Sequence, residues 1–253
     1  GLGRQLLQDR RQPAQHEQQD AACAHAAPRL PAMLAAGETR LSAEQIYPRL
    51  FDAILEQRLL PGSRFTEDSL GQMFGARRSE VRSVLTRLSH QQVIILRANH
   101  RPRVAAPDVE QTRQTLHARR LTEMTLVRLA CQRPLPEQLK RLHALVDSER
   151  HCIARGPTIR LSGTFHLQLA EMAGNAPLAH FLGSLVPLTS LAIAQFDTQL
   201  EGYCGWQVHE HILDAVERED SREAEFLLSQ YLDHLEAALL NPRPVSRQNR
   251  VAG

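Results

Sequence analysis

The chain has 253 residues, 42 % of them hydrophobic and 23 % charged, with a formal charge of +2. That is the make-up of a globular protein of one or two domains and argues against wholesale disorder. No run of about 18 apolar residues and no charged-then-apolar leader is present, so neither a membrane-spanning helix nor a secretory signal is expected.

The small net charge hides an asymmetry. Residues 41–105 carry ten Arg against six Asp and Glu, whereas residues 109–240 carry twelve Lys and Arg against seventeen acidic residues. A basic half joined to an acidic one points to a polyanion-binding module and a second module with different work. Cys23, Cys131, Cys152 and Cys204 are scattered without a CxxC pair. That spacing fits buried thiols in a reducing, cytoplasmic setting better than a disulfide framework.

Residues 1–40 are rich in Gln, Ala, Arg and His and read as a flexible leader. At Ser42 the pattern changes. Ser42-Ala43-Glu44-Gln45 has the layout of a capping box, and Ile46, Leu50, Ile54 and Leu59 then recur near helical spacing until Pro61-Gly62. Thr66 caps a second helix bearing Leu70 and Met73, which Gly75 ends. A third helix carries Val81, Val84, Leu85 and Leu88 on one stripe. Val93-Ile94-Ile95-Leu96 reads as a strand, residues 98–102 as a turn, and Arg103-Val104-Ala105 as a returning strand. Three helices and a hairpin, over residues 41–106, make a winged helix-turn-helix.

Beyond Val109 strand signals almost vanish. Helices are expected near 109–131, 136–154, 158–173, 177–197, 206–219 and 221–239, punctuated by Pro134, Gly156-Pro157, Gly174-Asn175 and Gly202. Asp220-Ser221-Arg222-Glu223 reads as a second capping box. The fold class is therefore mainly α: an N-terminal winged helix-turn-helix, an all-helical bundle over 109–240, and a tail over 241–253.

In a helix-turn-helix the second helix enters the major groove by its N-terminal end. Here that end reads Arg77-Arg78-Ser79-Glu80-Val81-Arg82. Arg78 and Arg82, four residues apart, share a helical face opposite the apolar stripe, where a guanidinium can fork onto guanine or clamp a phosphate. His100 and Arg101 occupy the hairpin tip.

The residues carry a resemblance. Leu60-Pro61-Gly62-Ser63-Arg64-Phe65-Thr66-Glu67 follows the pattern L-x-P-G-x-R-L-x-E, and Arg78-Ser79-Glu80-Val81-Arg82 follows R-T-P-V-R. Residues 43–105 thus resemble the DNA reader of GntR-family transcriptional regulators. The resemblance implies double-stranded operator DNA as partner, contacted through Arg64, Arg77, Arg78, Ser79, Arg82, His100 and Arg101. The sequence departs from the pattern at Arg77, at Glu80 in place of Pro, at Gln92 in place of the Gly before the wing, and at Asp68 in place of an arginine.

Residues 110–240 resemble the helical FCD domain of the FadR subfamily. Arg119-x-x-x-Glu123, Phe165-His166 with Ala173-Gly174-Asn175, and a terminal pattern through His211, Asp220 and His234 carry that likeness. It implies a homodimer that binds a small carboxylate beside Arg119 and a divalent metal held by one Asp and three His. His166, His211 and His234 are the ligands expected here, with Ser162 at the Asp position, a set in which zinc or nickel would be the more plausible ion. Two other readings compete with an effector-controlled regulator. One is a metal-dependent hydrolase with Asp214, Asp233 or Glu210 as general base; the other is a DNA-organising protein without an effector.

Overall fold

The computed structural model describes residues 40–61, 63, 65–196 and 205–241. The leader before residue 40, the tail after 241, Arg64, Cys23 and Cys204 lie outside the described residues.

Three helices come first: α1 (Ala43–Leu55), α2 (Glu67–Phe74) and α3 (Arg78–His90). Gln45 Oε1 accepts from the Ser42 amide at 3.0 Å and so opens α1. Thr66 Oγ1 accepts from the Ser69 amide at 3.0 Å while Ser69 Oγ accepts from the Thr66 amide at 2.9 Å, a reciprocal cap on α2. Gly75 ends α2 with φ +57°, a left-handed conformation that glycine adopts without Cβ crowding. The stripe Val81, Val84, Leu85 and Leu88 is buried together with Ile46, Leu50 and Ile54 of α1 and Leu70 and Phe74 of α2. Strands β1 (Ile94–Ile95) and β2 (Arg103–Val104) pair antiparallel, Ile94 opposite Val104, and form the wing. The departure at Glu80 has a structural use: its Oε2 accepts from the Ala43 amide at 2.6 Å and ties the start of α3 to that of α1.

The bundle comprises α4 (Val109–Gln132), α5 (Pro136–His151), α6 (Arg155–Met172), α7 (Ala176–Phe196), α8 (Trp206–Glu217) and α9 (Ser221–Leu240). Asp108 and Gln111 cap α4 reciprocally, a signal that the apolar pattern alone does not report. Gly156-Pro157 does not separate helices as its composition predicts. It lies in the first turn of α6, where proline costs no intrahelical hydrogen bond. At Asp220 only half of the expected box forms: its Oδ1 accepts from the Glu223 amide at 3.1 Å. Cys131 and Cys152 are buried free thiols.

One apolar core runs from Ile46 through Phe165 to Leu239 and joins winged helix and bundle. Contrary to the expectation from composition, α7 is long and apolar enough to cross a membrane, with a mean hydropathy of 1.5 over its best window. In the fold it packs on α4 and α6, and Leu182, Leu185, Val186 and Leu191 are core residues. α6 lies so close to α1 that a Cβ at Gly156 would stand 2.8 Å from the Asp52 carbonyl oxygen.

Candidate functional site

The N-terminal end of α3 stands proud of the domain. Arg77, Arg78, Ser79 and Arg82 are all exposed, as are His100 and Arg101 on the wing. Recognition helix and wing tip flank a groove of about 710 Å³ lined by Arg78, Arg82, Thr86, Arg97, His100 and Arg101. Asn99 takes φ +60° at the wing turn, and His100 Nδ1 lies 2.8 Å from the Ala98 carbonyl oxygen. Of the expected DNA-facing residues, Arg78, Arg82, His100 and Arg101 line this groove, whereas Arg77 and Ser79 are exposed outside its lining. Glu67, at the start of α2, reaches that groove and hydrogen-bonds to both Arg78 and Arg82.

In the bundle, five helices bring polar side chains to one buried cluster: Arg119 and Glu123 from α4, Glu149 from α5, Ser162 and His166 from α6, His209 from α8 and Tyr231 from α9. The imidazoles of His166 and His209 meet at 3.1 Å between their Nε2 atoms. Each is backed by a carboxylate. His209 Nδ1 lies 2.9 Å from Glu149 Oε2, and His166 Nδ1 lies 2.8 Å from Glu123 Oε1, the latter off the direction of a good hydrogen bond. Phe165 stacks on the His209 ring at 4.1 Å and fixes its plane. Ser162 Oγ and Tyr231 Oη lie 3.4 Å apart.

Arg119 is 2 % exposed and pairs with Glu123, Nε to Oε2 at 3.2 Å. Its Nη2 finds no hydrogen-bond partner among the described residues. A buried guanidinium N–H left without an acceptor is costly, and such groups usually have a ligand or water to meet them. Burial, the largest single influence, pushes the Glu123 carboxyl up, but the charges and hydrogen bonds of Arg119 and His166 together bring it down to about 2. Burial pushes His166 down to about 4, with the neighbouring Arg119 charge acting in the same direction against Glu123. With His166 neutral, Arg119 is the group that keeps Glu123 ionised.

Two of the three expected histidines are elsewhere. His211 is exposed on the outer face of α8, and His234 is exposed on α9, where its Nδ1 meets the Gln230 carbonyl oxygen at 3.0 Å. The inward positions belong to His209 and Tyr231. The reason is helical phase: His209 shares a stripe with buried Ile212 and Val216, and Tyr231 with Leu228 and Leu235. Ser162 and His166 do lie inside, as expected, and Arg119 lies beside them.

This donor set does not fit the zinc or nickel ion that three histidines would hold. Only two imidazole nitrogens converge, one short of the three protein donors of an open zinc site. The Tyr231 phenol, its pKa raised by burial, stays a neutral hydroxyl, as does Ser162. No group of three His, Cys, Asp or Glu among the described residues is placed to hold a metal. The proposed general bases are equally remote: Asp214 is exposed, Asp233 pairs with Arg120, and Glu210 pairs with Arg150.

Comparison with known proteins agrees with this architecture. Residues 42–104 match the bacterial regulatory proteins of the gntR family, and residues 114–234 match the FCD domain. The HTH-type transcriptional repressor NanR of Cronobacter sakazakii is 28 % identical over 193 residues, which span 66 % of this chain and 73 % of that protein. Among solved structures, McbR/YncC of E. coli superposes with a TM-score of 0.63 at 17 % identity, covering 79 % of this chain and 97 % of that one. A transcriptional regulator GntR from Rhodococcus sp. RHA1 also gives 0.63, at 20 % identity over 80 % of this chain and 99 % of its own. These structural likenesses concern the fold, whereas the domain matches concern descent. A DNA reader and an effector-binding bundle, matched in that order along one chain, make this protein a transcription regulator of the GntR family with an FCD domain.

Proposed function

We propose that the chain is a cytoplasmic repressor that grips a palindromic operator as a homodimer and lets go when a small carboxylate binds in the helical bundle. Two winged helices related by a twofold axis would enter successive major grooves about 34–36 Å apart. Arg78 and Arg82 would supply base contacts, with Ser79, Arg77, Arg64 and the wing residues His100 and Arg101 on the backbone. Repression is inferred from the related NanR, which is named a repressor.

The carboxylate assignment rests on one observation, the orphaned Nη2 of the buried Arg119. A guanidinium edge presents parallel N–H donors that match a carboxylate. Tyr231 and the two imidazoles would bound the same ligand. No step in this reading passes through zinc or nickel, because the donors beside Arg119 do not suit either ion.

A dialysed full-length sample, screened against two- to six-carbon carboxylates by thermal shift, tests the reading. Saturable stabilisation is expected, about 2.7 kcal/mol at a hundredfold excess over Kd, and the same compound should release bound DNA. Arg119→Lys keeps a cation for Glu123 but loses the fork, and should abolish the shift while leaving DNA binding. A wild-type protein that no carboxylate stabilises, or an equal shift in Arg119→Lys, overturns the assignment.

A further inference from the structure

Glu67 sits where the DNA face would need a cation rather than an anion. Its Oε2 accepts from Arg78 Nε at 2.8 Å and from Arg82 Nη2 at 3.0 Å, and its Oε1 accepts from Arg82 Nε at 3.1 Å. Arg82 is thereby held along one edge by two parallel bonds, and Arg78 by a single bond. The carboxylate side chain is 23 % exposed and the arginines 64 % and 63 %, so the anion lies beneath two outward-facing guanidinium groups. Both Arg78 Nη groups remain available to another acceptor. Asp68 adds a second anion, its Oδ1 3.9 Å from Arg78 Nε.

Exposed ion pairs contribute little to stability, so stability does not account for the arrangement. Recognition does. An unrestrained arginine swings to the nearest phosphate, where it adds affinity without sequence information. One fixed by a carboxylate pays less conformational entropy to present its fork to a base edge. The hydrogen bonds from Arg82 and Arg78 also hold the Glu67 carboxyl below its usual range.

We propose that Glu67 is a positioning residue that sets operator discrimination: its carboxylate aligns Arg78 and Arg82 as adjacent forks and its charge weakens attachment to phosphate alone. The role rests on the assignment of Arg78 and Arg82 to the DNA face.

The test uses the full-length protein, a duplex enriched by it from random DNA, and a scrambled duplex of equal length and composition. Affinity for both is measured across a salt series. Glu67→Gln keeps the size and removes the charge. It should bind the scrambled duplex about tenfold more tightly, with a salt slope steeper by about one as a freed guanidinium gains a phosphate. Its preference for the enriched duplex should fall by about tenfold or more, the worth of one well-placed fork. Glu67→Asp keeps the charge but shortens the reach, and should lose about tenfold on the enriched duplex without gaining on the scrambled one. Unchanged preference and salt slope in Glu67→Gln overturn the role, as does an equal loss on both duplexes, which marks mere damage to the domain. An Arg78→Ala/Arg82→Ala double variant is run in parallel. If it binds the enriched duplex like wild type, the DNA face itself is wrong. If it fails to bind while Glu67→Gln is unaltered, only the role of Glu67 falls.

Discussion

Arg160 of the bundle and Asp52 of the winged helix form a two-point ion pair, Nε to Oδ1 at 2.6 Å and Nη2 to Oδ2 at 3.1 Å, with Asp52 2 % exposed. Arg160 lies on α6, the helix that also carries Ser162 and His166. Gln57 adds a hydrogen bond to the Ala194 carbonyl oxygen across the same boundary, and Arg155 of α6 donates to that oxygen from within the bundle. A displacement of α6 at the buried cluster would therefore act on α1, against which α3 packs. Removing Arg160 takes a two-point partner from a buried carboxylate, and breaking such a pair is destabilising. Arg160→Met should lower stability by about 3 kcal/mol, the low end for such pairs because Arg160 is partly exposed. It should also leave DNA affinity in place while abolishing its response to a stabilising carboxylate. Denaturant unfolding and DNA titrations with and without that compound would check both, and a normal response in a destabilised variant would refute the coupling.

The DNA face yields a simpler expectation. Arg78→Ala should weaken binding of the enriched duplex by about 1–3 kcal/mol, the worth of a forked base contact. Arg97, Arg101 and His100 on the wing would be left to hold the backbone, so residual binding should show little sequence preference. Fluorescence anisotropy on enriched and scrambled duplexes separates these effects. Loss of equal size on both would show that Arg78 contacts phosphate and not a base.

The histidines separate a buried cluster from a surface. His211→Ala and His234→Ala change exposed side chains and should each alter stability by no more than about 0.5 kcal/mol, with carboxylate binding intact. His209→Ala removes a fully buried ring stacked on Phe165, takes the imidazole partner from Glu149 and leaves His166 Nε2 without its contact. A loss of about 3 kcal/mol is expected, together with loss of the carboxylate-induced shift. Thermal unfolding of the three variants side by side decides the matter; a silent His209→Ala would remove the cluster from the functional site.

The same histidines show where sequence reading stops. The winged helix is legible because its signals are local: the Thr66 cap, the Gly75 stop, the Val81–Leu88 stripe and the β-branched run before the wing each follow from neighbouring residues. Choosing His209 over His211 is harder. In Val208-His209-Glu210-His211 both rings flank an apolar stripe that includes Ile212, Leu213, Ala215 and Val216, and only the tertiary packing against α5 and α9 fixes which side of that broad stripe is inside. Tyr231 and His234 pose the same problem three residues apart. Glu149 is one of many acidic residues in the bundle, and nothing local distinguishes it. Glu67 is quoted by the motif itself, yet its partners lie 11 and 15 residues away across a turn, so its function belongs to the fold.

Acid should unfold the protein through the buried cluster. His166 is held at about 4 in the fold, below its usual 6.5, so the unfolded chain takes up a proton first. Stability present above about pH 7 therefore declines as pH falls toward 4, by at most about 3 kcal/mol for this group. Glu123, lowered to about 2 from 4.5, adds a further loss below about pH 4.5. Both signs are the same, because in each case the unfolded state binds more protons. Urea unfolding of wild type and His166→Gln between pH 7.5 and 4.5 should show a flatter dependence in the variant. Parallel curves would place the titration elsewhere.

Gln92 offers a stabilising change. It occupies φ +62° just before β1, and its side chain is exposed. A Cβ in the left-handed region costs about 1–2 kcal/mol, whereas glycine costs about 0.5–1 kcal/mol in unfolded-state entropy. The difference favours Gln92→Gly by about 0.5 kcal/mol. Because the position leads directly into the wing, the substitution should leave the hairpin register of Ile94 with Val104 unchanged. Affinity for the enriched duplex should stay within about twofold, since no DNA-facing side chain is altered. A lower unfolding midpoint for Gln92→Gly would mean that the glutamine side chain, which borders the cleft between wing and bundle, stabilises the domain junction by more than its backbone strain costs.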